Sequence, residues 1–264
     1  MKLTIYHLYP DLLDLYGDRG NIIALAARCK WRGIDVEVRQ VSLGEELDFS
    51  QADLVFLGGG SDREQTLLIA DLDLRAKGLN QAIEEGLVVL AICGGFQILG
   101  GYFLKADGQK IPGLGLLDFY TVAGKKRLIG NVIAELDSEF KEEMEAVYAP
   151  REQTATGPEV LKTLVGFENH SGRTYLGSGL RPLAKIIRGY GNNGEDFLEG
   201  VRYKNVFGTY LHGPLLPKNP HLADLLLSLA LKRKGENFRL APLEDNIEIA
   251  AHQAILARFS KEKG

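Results

Sequence analysis

The chain has 264 residues, a formal net charge of −4 and two cysteines. That charge offers no global attraction to nucleic acid or to an anionic membrane surface. Two isolated cysteines make neither a disulfide framework nor a structural zinc set. The sequence has no apolar run of about 18 residues and no signal-peptide layout, so no membrane span and a reducing cytoplasmic location are expected.

Leu3 to Leu8 reads as a first strand, followed by the turn-rich Gly17-Asp18-Arg19-Gly20-Asn21. A helix from Gly20 to Arg32 follows, with Ile22, Ile23, Leu25, Ala26 and Cys29 on one face and Gly33 as its stop. Val36, Val38 and Val41 mark a second strand, and Asp53 to Leu57 a third that ends in Gly58-Gly59-Gly60. A helical stretch from Leu79 to Glu85 precedes the apolar run Leu87 to Ile92. This alternation predicts an α/β fold with a mostly parallel central sheet covered by helices on both faces. In such a sheet the working residues gather beyond the carboxyl ends of the strands.

After Gly100 the pattern changes to short runs punctuated by glycine, around Gly113-Leu114-Gly115, Leu128 to Val132, Leu164 to Phe167 and Val206 to Tyr210. They read as additional short strands, some antiparallel. Asp137 to Lys162 is more charged and reads as a local helix or an exposed insertion. Two helices, from about His221 to Lys234 and from about Asp245 to Phe259, close the chain. No linker or repeat divides it, so residues 1–264 are expected to form a single domain.

Cys93 carries the most chemistry. It ends a buried-looking strand and is followed at once by Gly94-Gly95 and then Phe96-Gln97-Ile98-Leu99. Strand, nucleophile, two glycines and helix make the sequence form of a nucleophile elbow. The glycines permit the sharp turn, and the start of a helix favours a thiolate. A cysteine nucleophile needs a base. His212 is the better placed, because it follows the strand-like Phe207 to Leu211 and precedes Gly213-Pro214. His170, expected on a loop, is the second candidate. His7 reads as a core or edge residue, and His221 and His252 as solvated or structural. Gly58-Gly59-Gly60-Ser61 lacks the Gly-Lys-Ser/Thr ending of a nucleotide-triphosphate loop. Its Gly60 N–H and that of Gly94 are instead candidates for an oxyanion hole.

Ala91-Ile92-Cys93-Gly94-Gly95-Phe96-Gln97 resembles the Gly-x-Cys-x-Gly-x-Gln elbow of class I glutamine amidotransferases, with Ala91 in place of the first glycine. Gly166-Phe167-Glu168-Asn169-His170-Ser171-Gly172-Arg173-Thr174 and Leu211-His212-Gly213-Pro214 resemble the cobyric-acid-synthase-like branch. Tyr16-Gly17-Asp18-Arg19-Gly20-Asn21, Gly58 to Gln65 and Gly189-Tyr190-Gly191-Asn192-Asn193 look like the GatD-type subgroup, the glutaminase subunits of lipid II isoglutaminyl synthase. The resemblance implies a flavodoxin-like fold and hydrolysis of L-glutamine through a Cys93 thioester, with His212 moving the protons. It also implies that Gly60 and Gly94 hold the oxyanion, Gln97 helps position substrate and Arg127 clamps the α-carboxylate. Without the resemblance, Arg127 reads as a solvated member of Lys125-Lys126-Arg127.

The sequence departs from the class at position 214. Class I members commonly carry a Glu two positions after the catalytic His, and Pro214 stands there in this chain. Either another residue of this chain takes its place or a partner subunit supplies a carboxylate, and the second is the expectation. A partner is expected on chemical grounds too. Amide formation needs ATP activation, this sequence has no recognisable site for it, and ammonia released into neutral water is mostly lost as ammonium. The resemblance implies a Mur-ligase-like (MurT-type) synthetase bringing ATP and magnesium, with no metal held by this chain. That synthetase would amidate D-glutamate of the lipid-linked stem peptide. Amidation of a corrinoid precursor, a non-catalytic relative of the fold and a cysteine peptidase on a similar sheet are the competing readings.

Overall fold

A computed structural model describes residues 1–147, 161–235 and 239–260. In chain order the first half supplies β1 (Lys2–Leu8), α1 (Arg19–Trp31), β2 (Asp35–Val41), β3 (Leu54–Leu57), α2 (Asp62–Asp73), α3 (Ala76–Glu84), β4 (Val88–Ile92) and α4 (Gly94–Leu99). The second half supplies β5 (Tyr102–Leu104), β6 (Lys110–Pro112), β7 (Phe119–Glu135), α5 (Ser138–Glu145), β8 (Thr163–Leu176), β9 (Ala184–Arg188), β10 (Leu198–Glu199), β11 (Val201–Tyr203), β12 (Val206–Thr209), α6 (Pro220–Arg233) and α7 (Asn246–Ser260).

The central sheet runs β11-β12-β4-β3-β1-β2, and β11 alone of its strands pairs antiparallel. β3 and β4 are buried along their whole length, which explains their unbroken apolar runs. β2, at the sheet edge, alternates between half-buried and exposed positions over most of its length. Leu57 lies beside Ala91 and Ile92 beside Thr209. The glycine turn after β3, Cys93 after β4 and Tyr210-Leu211-His212 after β12 therefore leave the sheet together at one edge. Helix α1 is tied down by a buried ion cluster: Arg28 Nε donates to Asp224 and Nη1 to Asp245, each at 2.6 Å, and Arg32 Nη2 reaches Asp224 at 2.6 Å.

The second sheet corrects the expectation of many short strands. Leu128 to Val132 lies inside β7, of 17 residues, and Leu164 to Phe167 inside β8, of 14 residues. The two pair antiparallel from Phe119↔Leu176 to Glu135↔Thr163, with an irregularity between Ala123 and Leu128. The full order is β10-β9-β7-β5-β6, with β8 on β7. Gly113-Leu114-Gly115 lies outside any strand, just after β6. Helix α2 was not anticipated, although Ser61 and Glu64 form a capping box at its start. Of the charged stretch from Asp137 to Lys162, α5 forms the first part, and residues 148–160 lie outside the described residues.

Candidate active site

Cys93 joins β4 to α4 with φ 49° and ψ −103°, a conformation that L side chains rarely adopt. Its neighbours must be small. A Cβ on Gly95 would stand 2.7 Å from Leu57 Cβ and 2.8 Å from the Gly58 carbonyl oxygen. One on Gly94 would stand 2.7 Å from the Gly60 carbonyl oxygen. The paired glycines thus let the elbow press against the glycine turn, where Gly95 N donates to Gly58 O at 3.1 Å. The N–H groups of Gly60 and Gly94 donate to no acceptor among the described residues. They remain available to an oxyanion formed beside the sulfur.

His212 is held from both sides. Its N–H donates to Phe167 O at 2.7 Å and its carbonyl accepts from Phe167 N at 3.2 Å, which locks the backbone after β12 onto β8. Gly166 permits that approach, since a Cβ there would lie 2.9 Å from Leu211 Cβ. The imidazole Nδ1 sits 3.2 Å from each oxygen of Asp18, and Asp18 Oδ2 also accepts from Gly59 N at 2.8 Å. A carboxylate at Nδ1 places the ring proton there and leaves Nε2 as the working nitrogen. Among the described residues Nε2 has no hydrogen-bond partner.

A Cβ on Gly59 would lie 2.7 Å from His212 Cε1, 3.2 Å from Asp18 Oδ2 and 3.5 Å from Cys93 Cβ, so thiol, imidazole and carboxylate side chains crowd around one glycine. Burial pulls the His212 pKa down, but hydrogen bonding and charge from Asp18 and Cys93 outweigh it and push it up to about 10. Cys93 contributes to that shift although its sulfur makes no well-aligned bond to Nε2.

A carboxylate of this chain, Asp18, thus stands beside the imidazole in a chain that carries Pro214 at the usual Glu position. Pro214 does other work: it packs on Gly20 of α1, where a Cβ would stand 2.9 Å from Pro214 Cβ. In the sequence Asp18 stands within a turn-rich stretch with no role assigned to it. Its usable signal was an acidic residue in the loop after β1, on the edge of the sheet where Cys93 and His212 emerge.

Cys93 opens into a cavity of about 460 Å³ lined also by Gly60, Tyr16, Gln97, Arg127 and Asn169. Arg127, at the irregularity of β7, donates from Nε to Asn169 Oδ1 at 2.7 Å and from Nη2 to Asn169 O at 2.8 Å. One edge of its guanidinium is thus fixed, and the Nη1 side is free of partners among the described residues, the geometry a carboxylate fork requires. Gln97 is nearly buried. Its Oε1 accepts from Gln65 Nε2 at 2.8 Å and its Nε2 donates to Tyr210 OH at 2.9 Å, so it braces the wall of the cavity.

His170 lines the same cavity but lies within β8 and not on a loop. Its Nδ1 donates to Gly172 O at 2.8 Å, its ring stacks on Tyr210 at 3.7 Å, and burial holds its pKa below the ordinary value. Asp18 and Cys93 act on His212 and not on His170. His7, His221 and His252 are all buried. His252 bonds Thr163 and Lys218 across the α7 contact, and neither it nor His221 is solvated. Among the described residues no helix is long and apolar enough to cross a membrane.

Comparison with known proteins gives the family of the chain. The CobB/CobQ-like glutamine amidotransferase domain matches residues 4–220. The chain is 44% identical over 262 residues to the lipid II isoglutaminyl synthase (glutamine-hydrolyzing) subunit GatD of Staphylococcus aureus, covering 99% of this chain and 98% of the relative. It is 41% identical to the subunit of the same name from Streptococcus pneumoniae, over 92% of this chain and 86% of the relative. A cobyric acid synthase of Pelotomaculum thermopropionicum is 32% identical over 76% of this chain but is matched over only 36% of its own length. Among solved structures, a glutamine amidotransferase from Thermotoga maritima superposes with a TM-score of 0.52 at 13% identity, covering 97% of this chain and 94% of that one, which shows the shared fold.

Proposed function

Because this chain belongs to the CobB/CobQ-like glutamine amidotransferase family, we propose that it is the glutaminase subunit of a lipid II isoglutaminyl synthase. It hydrolyses L-glutamine and passes the ammonia to a Mur-ligase-like (MurT-type) synthetase in the cytoplasm. That synthetase, using its own ATP and magnesium, converts the α-carboxyl of D-glutamate in the lipid II stem peptide to the amide. Identity above 40% over nearly the whole length of two relatives named as such subunits supports this over a corrinoid amidation, since the cobyric acid synthase is matched over about a third of its length.

The observation that carries the reading is the meeting of Cys93, His212 and Asp18 around Gly59, beside two backbone N–H groups that have no acceptor among the described residues. The Cys93 thiolate attacks the side-chain carboxamide of glutamine, and the N–H groups of Gly60 and Gly94 take the charge that develops on its oxygen. The C–N bond breaks as His212 gives its Nε2 proton to the leaving nitrogen, which departs as ammonia. Water then adds to the glutamyl thioester and returns a proton to Nε2. The C–S bond breaks, glutamate leaves, and the thiolate is restored. Asp18 keeps Nδ1 protonated throughout, and the free side of Arg127 receives the substrate α-carboxylate.

The test is co-purification with a Mur-ligase-like synthetase, followed by assay of glutamate release and by labelling with diazo-oxonorleucine. Modification of Cys93 that glutamine suppresses supports the proposal. A complex that releases no glutamate and a thiol that glutamine leaves unprotected would remove it.

A further inference from the structure

Tyr16 is needed neither as nucleophile, base, clamp nor oxyanion donor, yet it touches the base and is one residue removed from the clamp. It sits in the short turn Leu15–Gly17 at φ 56°, in the left-handed region that favours glycine, so the turn holds a bulky ring where backbone preference alone would not. The ring stands edge-on to His212 with centroids 4.9 Å apart and edge-on to Phe167 at 6.2 Å. Its hydroxyl accepts from Asn169 Nδ2 at 2.7 Å. The same Asn169 accepts the Arg127 Nε proton on Oδ1.

These bonds are not independent. An amide side chain has one oxygen and one NH2 group. With its NH2 committed to the Tyr16 hydroxyl, Asn169 must turn its oxygen to Arg127, which aims the free side of the guanidinium into the cavity. At the other end, the ring covers the imidazole on the cavity side, where water would otherwise screen its attraction to Asp18 and to the thiolate. The turn that carries Tyr16 also leads directly into Asp18. One side chain thus spans the glutamine-binding end and the proton-transfer end of the cavity.

We propose that Tyr16 is a positioning residue with two separable parts: its hydroxyl sets Arg127 through Asn169 for the α-carboxylate of the substrate, and its ring shields the His212–Cys93 pair. The substrate half rests on the glutaminase reading; the ring half does not.

The experiment is alkylation of Cys93 by iodoacetamide, with glutamine as protecting ligand, in the wild type, Tyr16→Phe and Tyr16→Ala, each checked for cooperative unfolding. Tyr16→Phe keeps the ring. Its alkylation rate at neutral pH should stay within about twofold of the wild type, while the glutamine concentration that protects rises about tenfold, the worth of one charge-linked hydrogen bond. Tyr16→Ala loses both parts, so alkylation at neutral pH should also slow by about tenfold as water reaches the pair. Should Tyr16→Ala misfold, Tyr16→Leu, which keeps an apolar cover and lacks the hydroxyl, should behave as Tyr16→Phe does. Unaltered protection in Tyr16→Phe overturns the role of the hydroxyl, and unaltered alkylation in Tyr16→Ala overturns the role of the ring. A wild type that glutamine does not protect overturns the glutaminase reading and the substrate half with it, while the alkylation rates still decide the ring.

Discussion

Asp18 and His212 stand 194 positions apart in the chain, yet both oxygens of the carboxylate lie 3.2 Å from the imidazole Nδ1. The same carboxylate holds Gly59 N, so one side chain fixes both the imidazole and the turn beside Cys93. Asp18→Asn removes the charge at nearly constant shape. It allows the amide to select the wrong ring tautomer, and glutamine turnover should fall by roughly 10³-fold. Asp18 is among the causes that raise the His212 pKa to about 10, so the alkaline fall in the pH–rate profile should move from that region towards neutrality. A profile of glutamate release from pH 6 to 10.5 checks both effects. An alkaline limb that stays in place would show that the carboxylate does not govern this imidazole.

Cys93→Ala removes the sulfur and relieves an unfavourable φ of 49° only in part, since Ala also carries a Cβ. Glutamine-dependent amidation by the assembled complex should drop to the assay floor, while amidation driven by added ammonium salt should persist. Loss of both activities would mean that the substitution harms the complex and not the glutaminase chemistry.

The halves of the fold were unequally legible. β1, β3 and β4 were readable as buried apolar runs, β2 as an edge strand that alternates, and α6 as a long apolar stretch buried along most of its length. β7 and β8 were not. Glycines at 124, 130, 166 and 172 break their patterns into short pieces, and two of these glycines exist for close approach: Gly166 to Leu211 and Gly172 to Gln97. The elbow was equally plain, since strand, nucleophile and paired glycines are contiguous. Asp18 was hidden because its role depends on a loop after β1 folding back across the ends of β3 and β12, a contact with no local pattern. Pro214, read as a missing orienter, turned out to be a packing contact with Gly20.

Arg127 lies exposed at the cavity mouth, and among the described residues Asn169 alone fixes its Nε edge. If the free side clamps the α-carboxylate, Arg127→Ala should raise the glutamine KM by about 10²-fold with a smaller change in kcat, because the lost contact is made in ground and transition states alike. Arg127→Lys should restore only part of the affinity, since an ammonium cannot form the fork. Steady-state glutamate release separates the two constants. An unaltered KM in Arg127→Ala would return this residue to the solvated basic run to which its sequence neighbours belong.

Glu199 is wholly buried behind the strand that delivers His212, accepting from Thr209 Oγ1 at 2.5 Å and from Tyr210 N at 3.0 Å. Its Oε2 has no partner among the described residues. Burial pushes its pKa up to about 7 from an ordinary 4.5, against the pull of those two hydrogen bonds. A carboxyl that holds its proton more tightly when folded gives stability that is complete below pH 4.5 and lost as pH rises through 7. Glu199→Gln keeps an acceptor for Thr209 and Tyr210 and cannot ionise. Relative to that variant, the wild type should lose up to about 3 kcal/mol of unfolding free energy between pH 4.5 and 8. Urea titrations of the two proteins at pH 5, 6, 7 and 8 measure the difference directly. Curves that stay parallel across the range would mean that Glu199 holds its proton no more tightly in the folded chain than in the unfolded one.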